Sequence, residues 1–162
     1  MTIENEERLS GAMQENVLTL LCFDDQRAKL LRSSLKPSLF ESAVFRDIAA
    51  QAMDFIDQFN EPIKDHLPDT LEHILNGDDS RKALSYKKTI ENLFVAKDGI
   101  NGDYVIGQLN KFVRQQNMKS AIVKAVEAIE DGRIDEAEVE IQKGLNAQLV
   151  SFDLGTNIGD AQ

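Results

Sequence analysis

NGDYVIGQLNKFVRQQNMKSAIVKAVEAIED, residues 101–131, is the longest stretch of the chain whose apolar residues keep helical spacing. Its apolar positions form two stripes, one of Val105, Leu109 and Phe112 and one of Met118, Ile122, Ala125 and Ile129. About thirty residues at 1.5 Å each predict a helix of roughly 45 Å, which is longer than a small helical head can cover. The phase of the stripes changes across residues 114–117, where we expect a bend or a break.

Five shorter helices are predicted before this segment. Apolar residues three and four apart indicate a first helix over about 6–22. A second helix ends at Pro37, because the residue before a proline is disfavoured in helical geometry. Ser42 is a suitable N-cap for the third helix, a short fourth follows, and Asp78 or Asp79 opens a fifth.

The end of the chain predicts one more helix. Gly132 suits the position after a helix C-terminus, and Asp135 can cap the next helix. No stretch shows the sustained alternation of apolar and polar residues that is typical of a strand, so we predict an all-α fold. We expect four parts: a small helical head (1–78), a long helical hairpin for subunit association (79–132), a linker helix (133–147) and a flexible tail (148–162).

Composition and charge exclude several classes of protein. The 162 residues are 42% hydrophobic, which is enough for a globular core, and their net charge is −10. Such an acidic chain is a poor nucleic-acid-binding module, because phosphate contacts need surplus lysine and arginine.

Only residues 81–124 are basic, with nine basic and three acidic side chains. The candidates there for contact with an acidic partner or nucleic acid are Lys87, Lys88, Lys111, Arg114 and Lys119. We do not expect direct DNA contact, because interleaved aromatic residues are too few.

The sequence carries no motif for catalysis or for a cofactor. No GxxxxGK[ST] loop is present, so we expect no nucleotide cofactor and no enzymatic activity from this chain. Cys22 lies in an apolar run and is expected to be a buried, unreactive thiol. His66 and His73 are seven residues apart with carboxylates between them, so a small metal protein remains an alternative to a structural role for both.

The sequence also predicts a cytoplasmic protein. A single cysteine suits a reducing compartment, and the polar, acidic first residues lack a secretory signal. The longest apolar stretch, residues 17–23, is far too short to span a bilayer, so we expect no membrane partner.

Several short strings resemble the N-terminal domain of DnaB-type replicative DNA helicases, particularly phage and prophage forms. QENVLTLL at 14–21 resembles the first helix of that family, LKPSLF at 35–40 its Leu-x-Pro-x-x-Phe turn, and VFRDIA at 44–49 its third helix. EPIKDHL at 61–67 is similar to the loop that leads to a short helix. The resemblance covers roughly residues 10–147.

This resemblance implies a non-catalytic oligomerisation and docking domain. In the family, hairpins of neighbouring subunits pack in pairs to form a collar, which offers surfaces to primase or a helicase loader, and a RecA-like ATPase would begin just after residue 162. The residues that we expect to mediate self-association are Leu93, Phe94, Leu109, Phe112, Ile122 and Ile129. The alternative is a stand-alone α-helical adaptor or regulator that binds replication proteins.

Overall fold

The computed structural model of the protein describes residues 8–150, with side chains through residue 146. Over these residues the chain is helical without strands, which confirms the predicted all-α fold. The eight α-helices are α1 (Gly11–Phe23), α2 (Ala28–Ser34), α3 (Ala43–Phe59), α4 (Leu67–Thr70), α5 (Glu72–Leu75), α6 (Ser80–Ala96), α7 (Gly102–Glu130) and α8 (Ile134–Val150). Short 3-10 helices at Pro37–Leu39 and Lys64–His66 complete the described elements.

The helices begin where side chains replace the missing backbone partners of the first turn. Ser10, Ser42 and Asp79 each accept a hydrogen bond from the backbone N–H three residues later. The Ser42 cap and one of the two predicted Asp caps are thereby confirmed. The first helix starts at Gly11 rather than near residue 6, because the Ser10 hydroxyl sets its boundary.

The contacts divide the chain into two compact units. The head comprises Leu9–Val105, and the hairpin comprises residues 106–150 of α7 and α8 among those described. This division differs from the predicted boundary after residue 78, because α6 packs against α1, α3 and α5 and therefore belongs to the head. The helix predicted as a linker, 133–147, is instead the second arm of the hairpin. Of the predicted tail, residues 148–150 are helical, and 151–162 lie outside the described residues.

Helix α1 is the centre of the head. It packs against α2, α3 and α6, and it is buried on several sides at Val17, Leu18 and Leu21. A helix that is apolar nearly all round is stable only when other helices surround it. The buried Gln14 amide donates to the Leu9 carbonyl at 2.8 Å and accepts from the Glu41 N–H at 3.0 Å, so its polar atoms are satisfied inside the core.

One buried hydrogen bond connects α6 to α3. The Tyr86 hydroxyl donates to the Asp47 carboxylate, and Tyr86 is almost completely buried. Burial, together with the hydrogen bond and the charge of Asp47, raises the pKa of Tyr86 from 10.0 to about 12. The folded head therefore holds the phenol proton more tightly than the unfolded chain does.

We expect Tyr86→Phe to destabilise the head by about 1.5 kcal/mol at neutral pH, because Asp47 loses a charge-assisted hydrogen bond. The pKa of Tyr86 is higher in the folded chain than in the unfolded chain. The phenol therefore stabilises the fold in full below pH 10, and this stabilisation is lost as the pH rises toward about 12. Urea unfolding of both proteins at several pH values measures this. If the difference in the free energy of unfolding between the two proteins stays constant from pH 10 to 12, the assigned role of the hydroxyl is contradicted.

Candidate interaction surface of the helical hairpin

A tight turn joins the two helices of the hairpin. Gly132 has a φ of +77°, the left-handed geometry that glycine adopts without steric cost. The Arg133 N–H donates to the Ala128 carbonyl at 2.7 Å, and the Gly132 N–H donates to the Ile129 carbonyl at 3.0 Å. These two bonds form a Schellman motif that ends α7. Arg133 also forms ion pairs with Asp131 and Glu136, and the chain reverses direction within three residues.

Small residues form the seam between α7 and α8. Ala125, Ala128 and Ala137 are buried together in one cluster. A Cβ atom added to Gly144 would lie 2.5 Å from the Cβ atom of Ala121, so the backbone of α8 approaches α7 too closely for any side chain there. The two helices thus pack through alanine and glycine, which leaves their larger aliphatic residues outside the seam.

The large aliphatic residues of the hairpin are solvent-exposed. We define the hairpin face as five of them, each with between 39% and 52% of its surface accessible: Ile122, Ile129, Ile134, Ile141 and Leu145. Contiguous exposed apolar surface of this kind marks interaction sites in soluble proteins, whereas isolated apolar residues do not.

Helical geometry places the five residues on one side of the hairpin. Ile122 and Ile129 each follow a seam alanine by one position, which rotates them about 100° from the seam. On α8, Leu145 follows Gly144 by one position, and Ile134 and Ile141 are rotated in the same sense from Ala137. Because the helices are antiparallel, rotations of the same sense from their contact line bring side chains to the same side. Val123 and Val139 each lie two positions after a seam residue, a rotation of about 200°, so each points away from the partner helix rather than toward the hairpin face.

Charge is also unevenly distributed along the hairpin. Residues 111–124 contain four basic side chains and no acidic one. Residues 127–140, around the turn, contain seven acidic side chains and one basic, a net of −6. The hairpin therefore has an acidic tip and a basic middle, and the hairpin face extends between them.

The residues predicted for self-association fall in three different environments. Ile122 and Ile129 are exposed on the hairpin face. Leu93 and Leu109 are fully buried, so neither offers accessible surface, because packing within the chain already covers both side chains. Phe94 and Phe112 are half-buried, and Phe94 belongs to the head, where its ring contacts Phe23 edge-on at 5.0 Å.

The predicted basic residues divide between the two units. Lys87 and Lys88 are exposed on α6 of the head. Lys111 and Arg114 are exposed and Lys119 is half-buried on α7 of the hairpin. Two of the five residues therefore belong to the head and three to the hairpin.

The candidate chemical groups occupy structural positions. Cys22 is completely buried, as expected, and desolvation raises the pKa of its thiol, so it stays protonated. His66 stacks on Phe55 with ring centroids 5.7 Å apart, and its Nδ1 lies 3.9 Å from the Asp69 carboxylate. Among the described residues, no three histidine, cysteine or acidic side chains are grouped closely enough to hold a metal ion.

Sequence reasoning missed half of the hairpin face. It assigned α8 to a linker, although the spacing of Ile134, Ile141 and Leu145 by seven and four residues is the signal of an apolar stripe. It also counted Ala125 with the outer stripe of α7, whereas this residue belongs to the seam. Runs of alanine spaced by four and three residues, as at 121, 125 and 128, would have indicated close helix packing.

The fold and the hairpin face define an all-α protein with an exposed aliphatic surface. The chain matches no protein-family model, no curated protein and no solved structure. None of the described helices combines the length and the apolar character that crossing a membrane requires.

Proposed function

We propose that the protein is a non-catalytic oligomerisation and partner-docking domain whose hairpin face binds the same face of a second copy. The observation that carries this proposal is the arrangement of the hairpin, with small residues in its seam and five large aliphatic residues on one exposed side. Two-fold pairing is the commonest way in which one self-complementary surface closes an oligomer. Burial of these residues against a second copy removes their apolar surface from water.

The charges of the hairpin favour a second copy as the occupant of this face. In an antiparallel two-fold pair, the acidic tip around residues 127–140 lies toward the basic segment 111–124 of the other copy. The same symmetry operation repeats the attraction at the other end of the interface. A parallel arrangement would instead bring the two acidic tips together, at an electrostatic cost.

The wider role follows from the sequence resemblance. We propose that the oligomer belongs to a DnaB-type replicative DNA helicase of the cytoplasm, in which this domain joins subunits and offers surfaces to primase or a helicase loader. A reading frame that continues past residue 162 into a GxxxxGK[ST] loop would support the helicase assignment. A frame without such a motor would favour the stand-alone adaptor.

Size-exclusion chromatography with light scattering tests the oligomerisation itself. We expect the 18.1 kDa chain to elute as a dimer or a larger oligomer at tens of micromolar. A strict monomer over this concentration range would refute the proposal, whatever the reading frame contains.

Salt dependence tests the antiparallel arrangement. Exposed ion pairs contribute roughly 0.5 kcal/mol each, and the two-fold axis doubles every pair. We therefore expect the dimer dissociation constant to rise about fivefold between low and high salt, because added ions screen the attraction between tip and middle. Sedimentation equilibrium in sodium chloride measures this. Association that strengthens with salt would indicate a parallel arrangement, in which like charges meet.

A further inference from the structure

The head contains a groove of its own. It has a volume of about 660 Å³ and lies between the α4–α5 segment and α6. Its apolar lining comprises Pro68, Leu75, Leu84, Ile90 and Phe94. Leu84 is 67% exposed although it is large and apolar, so the groove has an accessible hydrophobic wall.

The shape of the groove fits a helix. Its lining follows α6 from Ser80 to Phe94, at positions spaced by three and four residues. Fourteen residue steps correspond to about 21 Å of helix axis. A partner helix of four turns laid beside α6 would match this length, and helix-in-groove recognition uses apolar anchors with the same spacing.

The charge of α6 indicates the kind of helix. Residues 9–79 of the head carry 13 acidic and six basic side chains, a net of −7. Helix α6 reverses this sign, with four basic residues against Glu91 alone. Lys87 lines the groove next to the apolar wall, and Glu91 lines it one turn further along the helix. Because α6 as a whole has a net charge of +3, an acidic helix laid along it is attracted, whereas a basic one is repelled.

We propose that the groove beside α6 binds an acidic amphipathic helix of a partner protein, with leucine-type anchors on Leu84 and Phe94 and carboxylates toward Lys87. Nucleic acid is the less favoured occupant, because the head as a whole is acidic and the lining offers one aromatic ring for stacking. The site does not depend on self-association through the hairpin face.

Fluorescence anisotropy with the full 162-residue chain tests the proposal. The probe is a labelled synthetic helix of about 16 residues, with leucine at every third and fourth position and glutamate elsewhere. We expect it to bind with a dissociation constant on the order of 10 μM. A peptide with lysine in place of every glutamate should bind at least tenfold more weakly.

Two matched pairs of variants locate the binding. Leu84→Glu and Lys87→Glu should each weaken binding of the acidic peptide at least tenfold. Val95→Glu, at a residue 83% exposed on the same helix, and Lys88→Glu should change it less than twofold, because neither residue lines the groove. All four positions are exposed, so circular dichroism melting should show intact folding.

Several results would overturn the proposal. These are no binding at millimolar peptide, equal binding of the lysine peptide, or equal loss in the Val95→Glu control. Tight binding of a labelled oligothymidine strand that only Lys87→Glu abolishes would assign the groove to nucleic acid instead. If Leu84→Glu dissociates the oligomer, the groove is a contact between copies. Binding that survives Ile122→Glu separates this result from the fate of the hairpin proposal.

Discussion

Ile122→Glu should raise the dissociation constant of the proposed dimer at least a hundredfold. Each copy would place a carboxylate where an aliphatic side chain is buried, and the loss of about 1.5 kcal/mol of burial occurs twice across a two-fold axis. The resulting 3 kcal/mol corresponds to roughly two orders of magnitude in affinity. Ile122 is 39% exposed in the single chain, so folding should be little affected. Light scattering over a concentration series measures the shift from dimer to monomer.

The chain supplies a matched control for this substitution. Val123 is 40% exposed on the same helix, but it points away from α8, rotated by about 100° from Ile122. Val123→Glu should therefore leave the dimer intact. On α8, Ile134 and Val139 form a second such pair, 52% and 51% exposed. Dissociation by Val123→Glu and Val139→Glu, with no effect of the isoleucine variants, would show that copies do not associate through the hairpin face.

Gly144→Val should separate the two helices of the hairpin. A Cβ atom at this position already meets Ala121 at 2.5 Å, and valine adds two methyl groups in the same place. Overpacking of this kind costs about 1 to 3 kcal/mol, and here the backbone of α8 must move away from α7 to relieve it. We expect a lower melting temperature and, because the hairpin face is built from both helices, a weaker dimer. Thermal denaturation followed by circular dichroism measures the first effect.

Gly107→Ala is the matched control for the substitution of Gly144, because it also replaces a glycine within a helix. Gly107 lies in α7, and a Cβ atom added there meets nothing within 4 Å. Alanine should therefore stabilise the helix by up to about 1 kcal/mol, since glycine is the poorer helix former. If Gly144→Ala stabilised the protein as much as Gly107→Ala does, the close approach of α8 to α7 would be disproved.

Much of the secondary structure is encoded locally. The Ser42 and Asp79 caps and the left-handed Gly132 follow from side-chain chemistry within three or four residues, so they could be predicted from the sequence. The sequence predicted a bend or a break near residues 114–117, whereas the helix runs from Gly102 to Glu130 without a break. A change in the phase of apolar residues there reflects a change in what the helix packs against, which the backbone can accommodate without breaking.

The sequence by itself determined that this protein is all-α, that Ser42 and one of Asp78 and Asp79 cap two of its helices, and that a long helix begins near residue 101. Only the tertiary structure decided which helix pairs with which. Helix α6 packs against α1, α3 and α5 in the head, and α8 packs against α7 because Gly144 and the seam alanines allow a close approach of the two backbones. The spacing of apolar residues shows which face of a helix must be covered. The same spacing would suit any partner helix of similar length, so it does not identify the partner. The choice of partner depends on the complementary shapes of the packed surfaces.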